Sequence, residues 1–468
     1  MDIAFFGHIL YKSATMMKVA IIGGGAAGMM AAATIAENQP DVEIFLIEKN
    51  TILGRKVIIS GGGRCNVTTG LKAVPKVLES YPRGDKFLIS AMTNFPPEKV
   101  YEWFESHGVP LKTENDLRVF PKSNDGQDVV KVFGKILHEA NAEILLKHDV
   151  KQISHENGKF IIEFRDMLKN DAMRGGEELP SETYETIRRI GNSEDDKALR
   201  VFQHVLKNGE KIQVDKVIIT TGGQAYRFTG SSGDGYDFAE NLGHTITKLA
   251  PSLNSFITLE TWPKNLAGVS MQKAAIRADR DKKYKFTGPF LFTHKGISGP
   301  AVFALSSLVA FEDYDKNHPL QIYIDLVPDL TAMEFEAEIL KEIRENPKRT
   351  IQNNIHAFLP RSLITELLSQ LKIPEEKRNC ELSKKDTQSV SHLIKNLPLK
   401  VIDRESGDEF VTAGGVNLNE VDSKTMQSKI CPGLYFAGEI LDIDGFTGGF
   451  NLQASWATGK LAGESAGT

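Results

Sequence analysis

KVAIIGGGAAGMMAAATIAEN, residues 18–38, decides the fold. Val19 to Ile22 is a short apolar run of the kind a buried parallel strand needs. Gly23, Gly25 and Gly28 then give the spacing G-x-G-x-x-G. The first glycine permits a tight turn, the second lets backbone approach a pyrophosphate, and the third lets helix and strand pack closely. The alanine-rich stretch from Ala26 to Ala36 opens a helix whose first amides and dipole favour a phosphate. A second strand, VEIFLIEKN, ends at Glu48, 25 residues past Gly23, near the offset of a ribose-binding acid. An acid there suits a free ribose 2′-hydroxyl, as in FAD or NAD, over a 2′-phosphate.

Residues 58–68, IISGGGRCNVT, raise a different question. They look like a second phosphate loop or a redox cysteine. With the pyrophosphate loop already at 23–28, the stretch reads as its complement, bringing backbone close to the far end of the same dinucleotide. Arg64 and Asn66 then supply donors. Cys65 has no partner cysteine or nearby histidine in sequence and reads as a packed thiol.

Composition narrows the class. The chain has 468 residues, long enough for about three domains. A formal charge of −5 leaves no basic footprint for nucleic acid. Three widely spaced cysteines make no CxxC and no metal pattern, which points to a reducing cytoplasm. No apolar run approaches the ~18 residues of a membrane span. The first sixteen residues carry Asp2 in place of a basic start and read poorly as a signal peptide. They are a loose extension, or Met16 or Met17 is the start.

Four segments resemble the NAD(P)/FAD-dependent oxidoreductases of the BaiN/RdsA type, which include aminoacetone-oxidase-like flavoproteins. They are the fingerprint, GRKVIISGGGRCNVT at 54–68, LFTHKGISGPA at 291–301, and TAGGV with GLYFAGEILDIDGFTGGFNLQASWATGKLAG at 412–463. The resemblance implies an α/β architecture in three parts, with a non-covalent FAD. A discontinuous Rossmann-like FAD-binding domain takes 17–245 and 417–468. An inserted antiparallel β-barrel-like substrate domain takes 246–330 and 398–416. A small helical bundle takes 331–397. The period-2 segments VSMQKAAIRAD, FTGPFLFTHKG and LQIYIDLVP agree with the barrel. LKVIDRESGDEFVTAGGV at 399–416 reads as one more hairpin, turning at Glu405 to Asp408. In the helical part Thr331 and Glu334 make a capping box, and Phe335, Ile339, Leu340 and Ile343 line one face. Leu363, Ile364, Leu367, Leu368 and Leu371 mark a second stripe; Val390, Leu393, Ile394 and Leu397 mark a third. A helix at 128–140 leads into a strand, EILLKHDVKQI. Residues 165–200 are polar and read as a variable, partly disordered insertion between two strands of one small sheet.

The expected FAD contacts are Gly23, Gly25, Ala26, Ala27, Gly28, Glu48, Lys49, Arg55, Lys56, Ser60, Gly61, Gly63, Arg64, Cys65 and Asn66. Val150 joins them as the residue the family places against adenine, with a core valine as the plain alternative. KVIITTGG at 216–223 contributes Thr221, Gly222 and Gly223, and GLYFAGEI contributes Gly438 and Glu439. TGGFNLQ opens a helix with Gly448, Gly449, Phe450, Asn451 and Leu452. Its amino end suits the flavin's N1–C2=O edge, where negative charge builds on reduction. No metal site is expected.

A flavin carries the hard chemistry, so few catalytic side chains are required. Candidates are His294, as a substrate-side acid or base or as a structural histidine, with Lys56 and Asn451. Lys56 and Arg64 suit a pyrophosphate or a reduced flavin anion. GSSGDG at 230–235 has the wrong spacing for a second dinucleotide loop, so NADH or NADPH would visit the flavin transiently. The expected activity is an FAD-dependent oxidoreductase of a small organic substrate, either a reductase driven by NAD(P)H or an amine oxidase. The alternatives are an RNA-modifying flavoprotein and a non-catalytic flavin-binding protein acting through the 165–200 insertion. No nucleic acid or membrane partner is expected, and the chain is expected as a monomer or homodimer.

Overall fold

The computed structural model describes residues 16–165, 211–279, 284–405 and 409–468. The extension before Met16 and nearly all of the 165–200 insertion lie outside the described residues, as does most of the turn expected at Glu405 to Asp408.

The fingerprint strand Met17–Ile22 is the middle of a five-stranded, wholly parallel sheet. Lys216–Ile219 and Leu434–Phe436 lie to one side, and Val42–Glu48 and Glu143–Leu146 to the other. These strands are short and apolar because both faces of the sheet are covered. Helix Ala26–Asn38 packs against the carboxy-terminal helix Phe450–Ala466 and against helix Gly126–Glu139. The first of these contacts is backbone on backbone. A Cβ at Gly459 would stand 2.4 Å from the Ala27 carbonyl oxygen, and one at Gly463 would stand 2.6 Å from that of Ala31.

The single strand expected from EILLKHDVKQI is two. Lys147 takes a left-handed backbone (φ +61°), and the amides of Lys147 and His148 donate back to the carbonyls of Asn50 and Glu48 at 3.0 Å. The chain thus leaves the parallel sheet after Leu146. It then enters a separate three-stranded sheet at Val150–Glu156, which pairs antiparallel with Lys159–Phe164, and that strand pairs with Lys211–Val214. The two strands flanking the insertion are therefore neighbours, as expected.

The inserted part is a closed antiparallel barrel of six strands. Around it run Phe256–Thr258, Gly296–Ser298, Lys285–Phe292, Ser270–Ala278, Leu320–Asp325 and Leu397–Arg404. The hairpin expected at 399–416 does not form. Leu397, Leu399 and Val401 are buried on alternate positions of a strand that pairs with Leu320–Asp325 and Phe256–Thr258. Val411–Ala413 pairs instead with Ala250–Ser252.

The capping box at Thr331 and Glu334 is formed, starting helix Ala332–Glu345. Phe335 and Ile339 are buried, whereas Leu340, expected beside them, is 36% exposed. Helices Arg361–Gln370 and Lys384–Lys395 bury most of their stripes, and Leu397 falls in the barrel strand instead of the third stripe. The helical part and the barrel share one hydrophobic core, and the parallel sheet has another.

One buried carboxylate joins the two bodies. Asp444, fully enclosed, is paired with the guanidinium of Arg83 and accepts from Ser252 Oγ at 2.7 Å and Ser307 Oγ at 3.0 Å. Arg83 also donates to Ser307 Oγ (2.9 Å) and to its carbonyl (3.0 Å). Asp444→Ala leaves a mostly buried guanidinium unpaired and should cost about 3–5 kcal/mol. Calorimetry should then show the two cores melting separately; a single transition at the wild-type temperature would contradict this junction.

Candidate functional site

At the carboxyl end of the parallel strands lies a cavity of about 1000 Å³, at the upper limit for a small-molecule site. The fingerprint glycines meet it in three different ways. Gly23 turns the chain at φ +109°, and a Cβ there would lie 2.6 Å from the Thr220 carbonyl oxygen. Gly28 packs so closely that a Cβ would lie 1.9 Å from the Gly23 carbonyl oxygen. At Gly25 a Cβ would meet nothing within 4 Å, because the space in front of it is the cavity. Gly25 caps helix Ala26–Asn38 without a side-chain hydrogen bond, and Ala26 and Ala27 line the wall. The helix amides therefore face a cradle that only a glycine leaves open.

Glu48 is buried at the end of its strand. One carboxylate oxygen accepts from the Gly24 amide (2.7 Å), and the other accepts from the amide and side chain of Asn50 (2.8 and 2.7 Å). Burial pushes this carboxyl above its ordinary value of 4.5. Lys49 pairs with Asp234 at 2.8 Å on the same wall, and Arg55 donates to Asn50 at 3.3 Å. Val150 is both buried and part of the wall.

The glycine cluster at 61–63 is a run of left-handed backbone: φ is +59°, +72° and +84°, and Cys65 follows at +58°. Only part of it reaches the cavity. Ser60, Gly61, Gly62 and Asn66 line the wall, whereas Gly63, Arg64 and Cys65 do not. Arg64 turns away to pair with Glu114 at 2.8 Å and stacks 3.8 Å from the Phe120 ring centre. Cys65 is completely buried, and burial pushes its thiol up to about 12. A thiol so placed stays protonated at neutral pH, in keeping with a packing role.

From the carboxy-terminal segment, Gly438, Glu439, Gly448, Gly449, Asn451 and Leu452 line the cavity. Glu439 pairs with Lys56 at 2.8 Å and accepts the Thr412 amide at 2.9 Å. Gly449 has φ +91° and caps helix Phe450–Ala466, again without a side-chain bond. Two uncapped helix ends thus open on one cavity. Asn451, a catalytic candidate from sequence, clamps the Gly445 backbone with two bonds of 2.8 Å. Phe450 is buried behind the wall, where its carbonyl accepts from Tyr81. Thr221 and Gly222 line the cavity; Gly223 and Gly28 lie behind it. His294 is exposed in the tight turn from Thr293 to Gly296 and is not part of the wall.

Sequence reasoning missed the aromatic part of the wall. Tyr226, Phe303, Phe410 and Phe446 come from four separated segments, with Leu253, Pro289 and Pro300 beside them. Phe303 and Phe410 are 5.0 Å apart edge to face, and Tyr226 is 5.7 Å from Phe410. No local spacing links these positions.

Such a layout belongs to the flavoprotein oxidoreductases built on a Rossmann domain. The chain is a member of the family described as HI0933-like protein Rossmann domain, whose model matches residues 17–174 and 177–465. It is similar to 3-dehydro-bile acid delta(4,6)-reductase of Clostridium scindens, at 27% identity over 96% of this chain and 99% of that protein. It is also similar to the ribosomal RNA dihydrouridine synthases of Escherichia coli (26%, covering 94% and 95%) and Haemophilus influenzae (28%, covering 94% and 95%).

The wall fits FAD: an open cradle at Gly25, a buried acid at Glu48 and a second uncapped helix end at Gly449. Gly25→Leu should abolish FAD retention while leaving the melting temperature of the flavin-free protein unchanged. Gly28→Val should prevent folding altogether. Glu48→Ala should weaken FAD binding roughly ten- to a hundredfold, the worth of hydrogen bonds to a charged group. A raised carboxyl gains its proton early as pH falls, and with it loses acceptor strength. Flavin release, followed by fluorescence, should therefore begin above pH 4.5 in the wild type and show no such step in Glu48→Gln.

Proposed function

We propose that the chain holds FAD non-covalently in this cavity and reduces a carbon–carbon double bond conjugated to a carbonyl in a small organic substrate. The observation that carries this reading is the aromatic wall formed by Tyr226, Phe303, Phe410 and Phe446. It offers flat, water-excluding surface to a flat, largely apolar molecule. The names of the relatives describe the same bond change. A 3-dehydro bile acid with Δ4 and Δ6 double bonds is a conjugated dienone, and dihydrouridine is uridine saturated next to its carbonyl. Neither name describes an amine oxidation.

Bound FAD supplies a two-electron carrier that gives up a hydride. The protein's share is binding, orientation and charge. The amides at Ala26 and Ala27 and the dipole of their helix suit a pyrophosphate. Glu48 keeps acceptor capacity for ribose hydroxyls. The Lys56–Glu439 pair holds both side chains fixed in the wall, and the end of helix Phe450–Ala466 places positive potential there. The aromatic side chains exclude water, which strengthens each of these interactions. The described residues contain one parallel nucleotide-binding sheet, so NADH or NADPH would act as a visiting donor.

A second reading rests on the ribosomal RNA relatives: the same reaction on a uridine within RNA. The net charge of −5 weighs against it. One experiment separates these cases. The FAD-loaded protein is mixed without oxygen with NADH or NADPH, and bleaching is followed. The reduced protein is then offered a steroidal 4,6-dien-3-one or a uridine-rich RNA, and the oxidised protein, in a separate sample, a primary amine. Return of the yellow colour with the dienone is expected. Return only with RNA would move the function to the second reading. A reduced protein that neither of the conjugated substrates reoxidises would overturn both readings, and bleaching of the oxidised protein by the amine would mark an oxidase.

A further inference from the structure

Where the barrel borders the cavity, one of its strand pairs is interrupted. Ser270–Ala278 and Lys285–Phe292 run antiparallel, with Met271 opposite Phe290 and Ala274 opposite Gly288. Between these pairs Gln272 and Lys273 together face the single residue Pro289, the two-against-one count of a β-bulge. Proline accounts for it, because a residue with no N–H to give the ladder is confined within sheets to edges and bulges. Bulges are common beside active sites, where they re-aim a side chain.

The bulge turns Gln272 away from the barrel core. Ala274, Ile276 and Ala278 are buried in that core with Phe290, and Met271 packs against it. Unbroken alternation would put residue 272 on the same face as Ala274 and Ile276. Instead Gln272, Lys273 and Pro289 are all exposed. Lys273 pairs with Asp329, whereas Gln272 and Pro289 line the cavity. Pro289 also abuts the start of helix Pro300–Leu308, which carries Phe303: a Cβ at Gly299 would stand 3.0 Å from the Pro289 carbonyl oxygen. Gln272 therefore stands beside the aromatic wall. Its carboxamide has no hydrogen-bond partner among the described residues. Among the described residues that 246–330 and 398–416 give to the cavity, it is the one hydrogen-bonding side chain. A mostly apolar site takes its selectivity from a few such groups.

We infer that Gln272 is a specificity-determining residue: its side-chain amide donates to the carbonyl oxygen of the conjugated substrate, whose apolar body lies on the aromatic wall. The inference rests on the reductase reading above. A carboxamide suits the task, since its NH2 group donates without a charge and so selects a carbonyl oxygen without calling for an anion. At an exposed position it exchanges a bond to water for one to substrate, so its worth is that of an ordinary hydrogen bond.

Gln272→Leu removes the amide and breaks no bond the fold uses, so FAD retention and melting temperature should stay as in the wild type. Two ligands are titrated into the oxidised, FAD-loaded protein, with binding read as quenching of flavin fluorescence: a steroidal 4,6-dien-3-one and the same steroid without its 3-oxygen. The wild type should prefer the dienone. The variant should bind the dienone about three- to tenfold more weakly and the deoxy steroid as before, so that the preference disappears. A wild type without the preference, or a variant that keeps it, would overturn the assignment. If Gln272→Leu does not fold, Gln272→Ala carries the test with the same two ligands. Reoxidation of the reduced wild type by the dienone is measured alongside. Where the dienone reoxidises it and the variant keeps the preference, this inference alone fails. Where no conjugated carbonyl reoxidises it, the reductase reading fails, and this inference with it.

Discussion

The structure depends on how closely backbone approaches backbone around helix Ala26–Asn38. Gly28 lets its first turn press on Gly23, and Gly459 and Gly463 let the carboxy-terminal helix press on Ala27 and Ala31. Side chains at these points would move both helices outward by more than the contacts tolerate. The two uncapped helix ends would then no longer meet across one cavity. The phosphate-side and flavin-side halves of the site are thus set by the same absence of side chains.

The parts legible in sequence were those written in local spacing. Strand, glycines, helix and the acid at Glu48 follow one another within a single unit, and the antiparallel barrel announced itself through period-2 strands. What failed was anything fixed at a distance. The strand expected through Lys147 bends because Glu48, at the end of another strand, and Asn50 just beyond it capture the amides of His148 and Lys147. The hairpin expected at 399–416 gave way because each arm found a better edge, one in the barrel and one beside Ala250–Ser252. Arg64 pairs with Glu114, fifty residues on, a partner that no local spacing names. The aromatic wall was invisible for the same reason, since its four rings come from four segments.

The division of labour in the cavity follows from these origins. The nucleotide half is made by backbone and by one buried acid, and leaves little freedom in what it binds. The other half is made by side chains from the loop at Tyr226, from helix Pro300–Leu308, from the segment before Val411 and from the carboxy-terminal segment at Phe446. A change of side chain in the second half would alter what fits the cavity without disturbing the sheet.

The sheet's last strand, Leu434–Phe436, and the helix after it follow the barrel in the chain. A ribosome therefore completes the barrel and its helices before it makes the segment that closes the nucleotide fold. Until then the fingerprint helix has an exposed groove of small residues, and the cavity lacks one wall. The nascent chain is in this sense a protein with one finished core and one waiting core. The cavity therefore has all its walls only once the segment from Gly438 to Ser455 has been added.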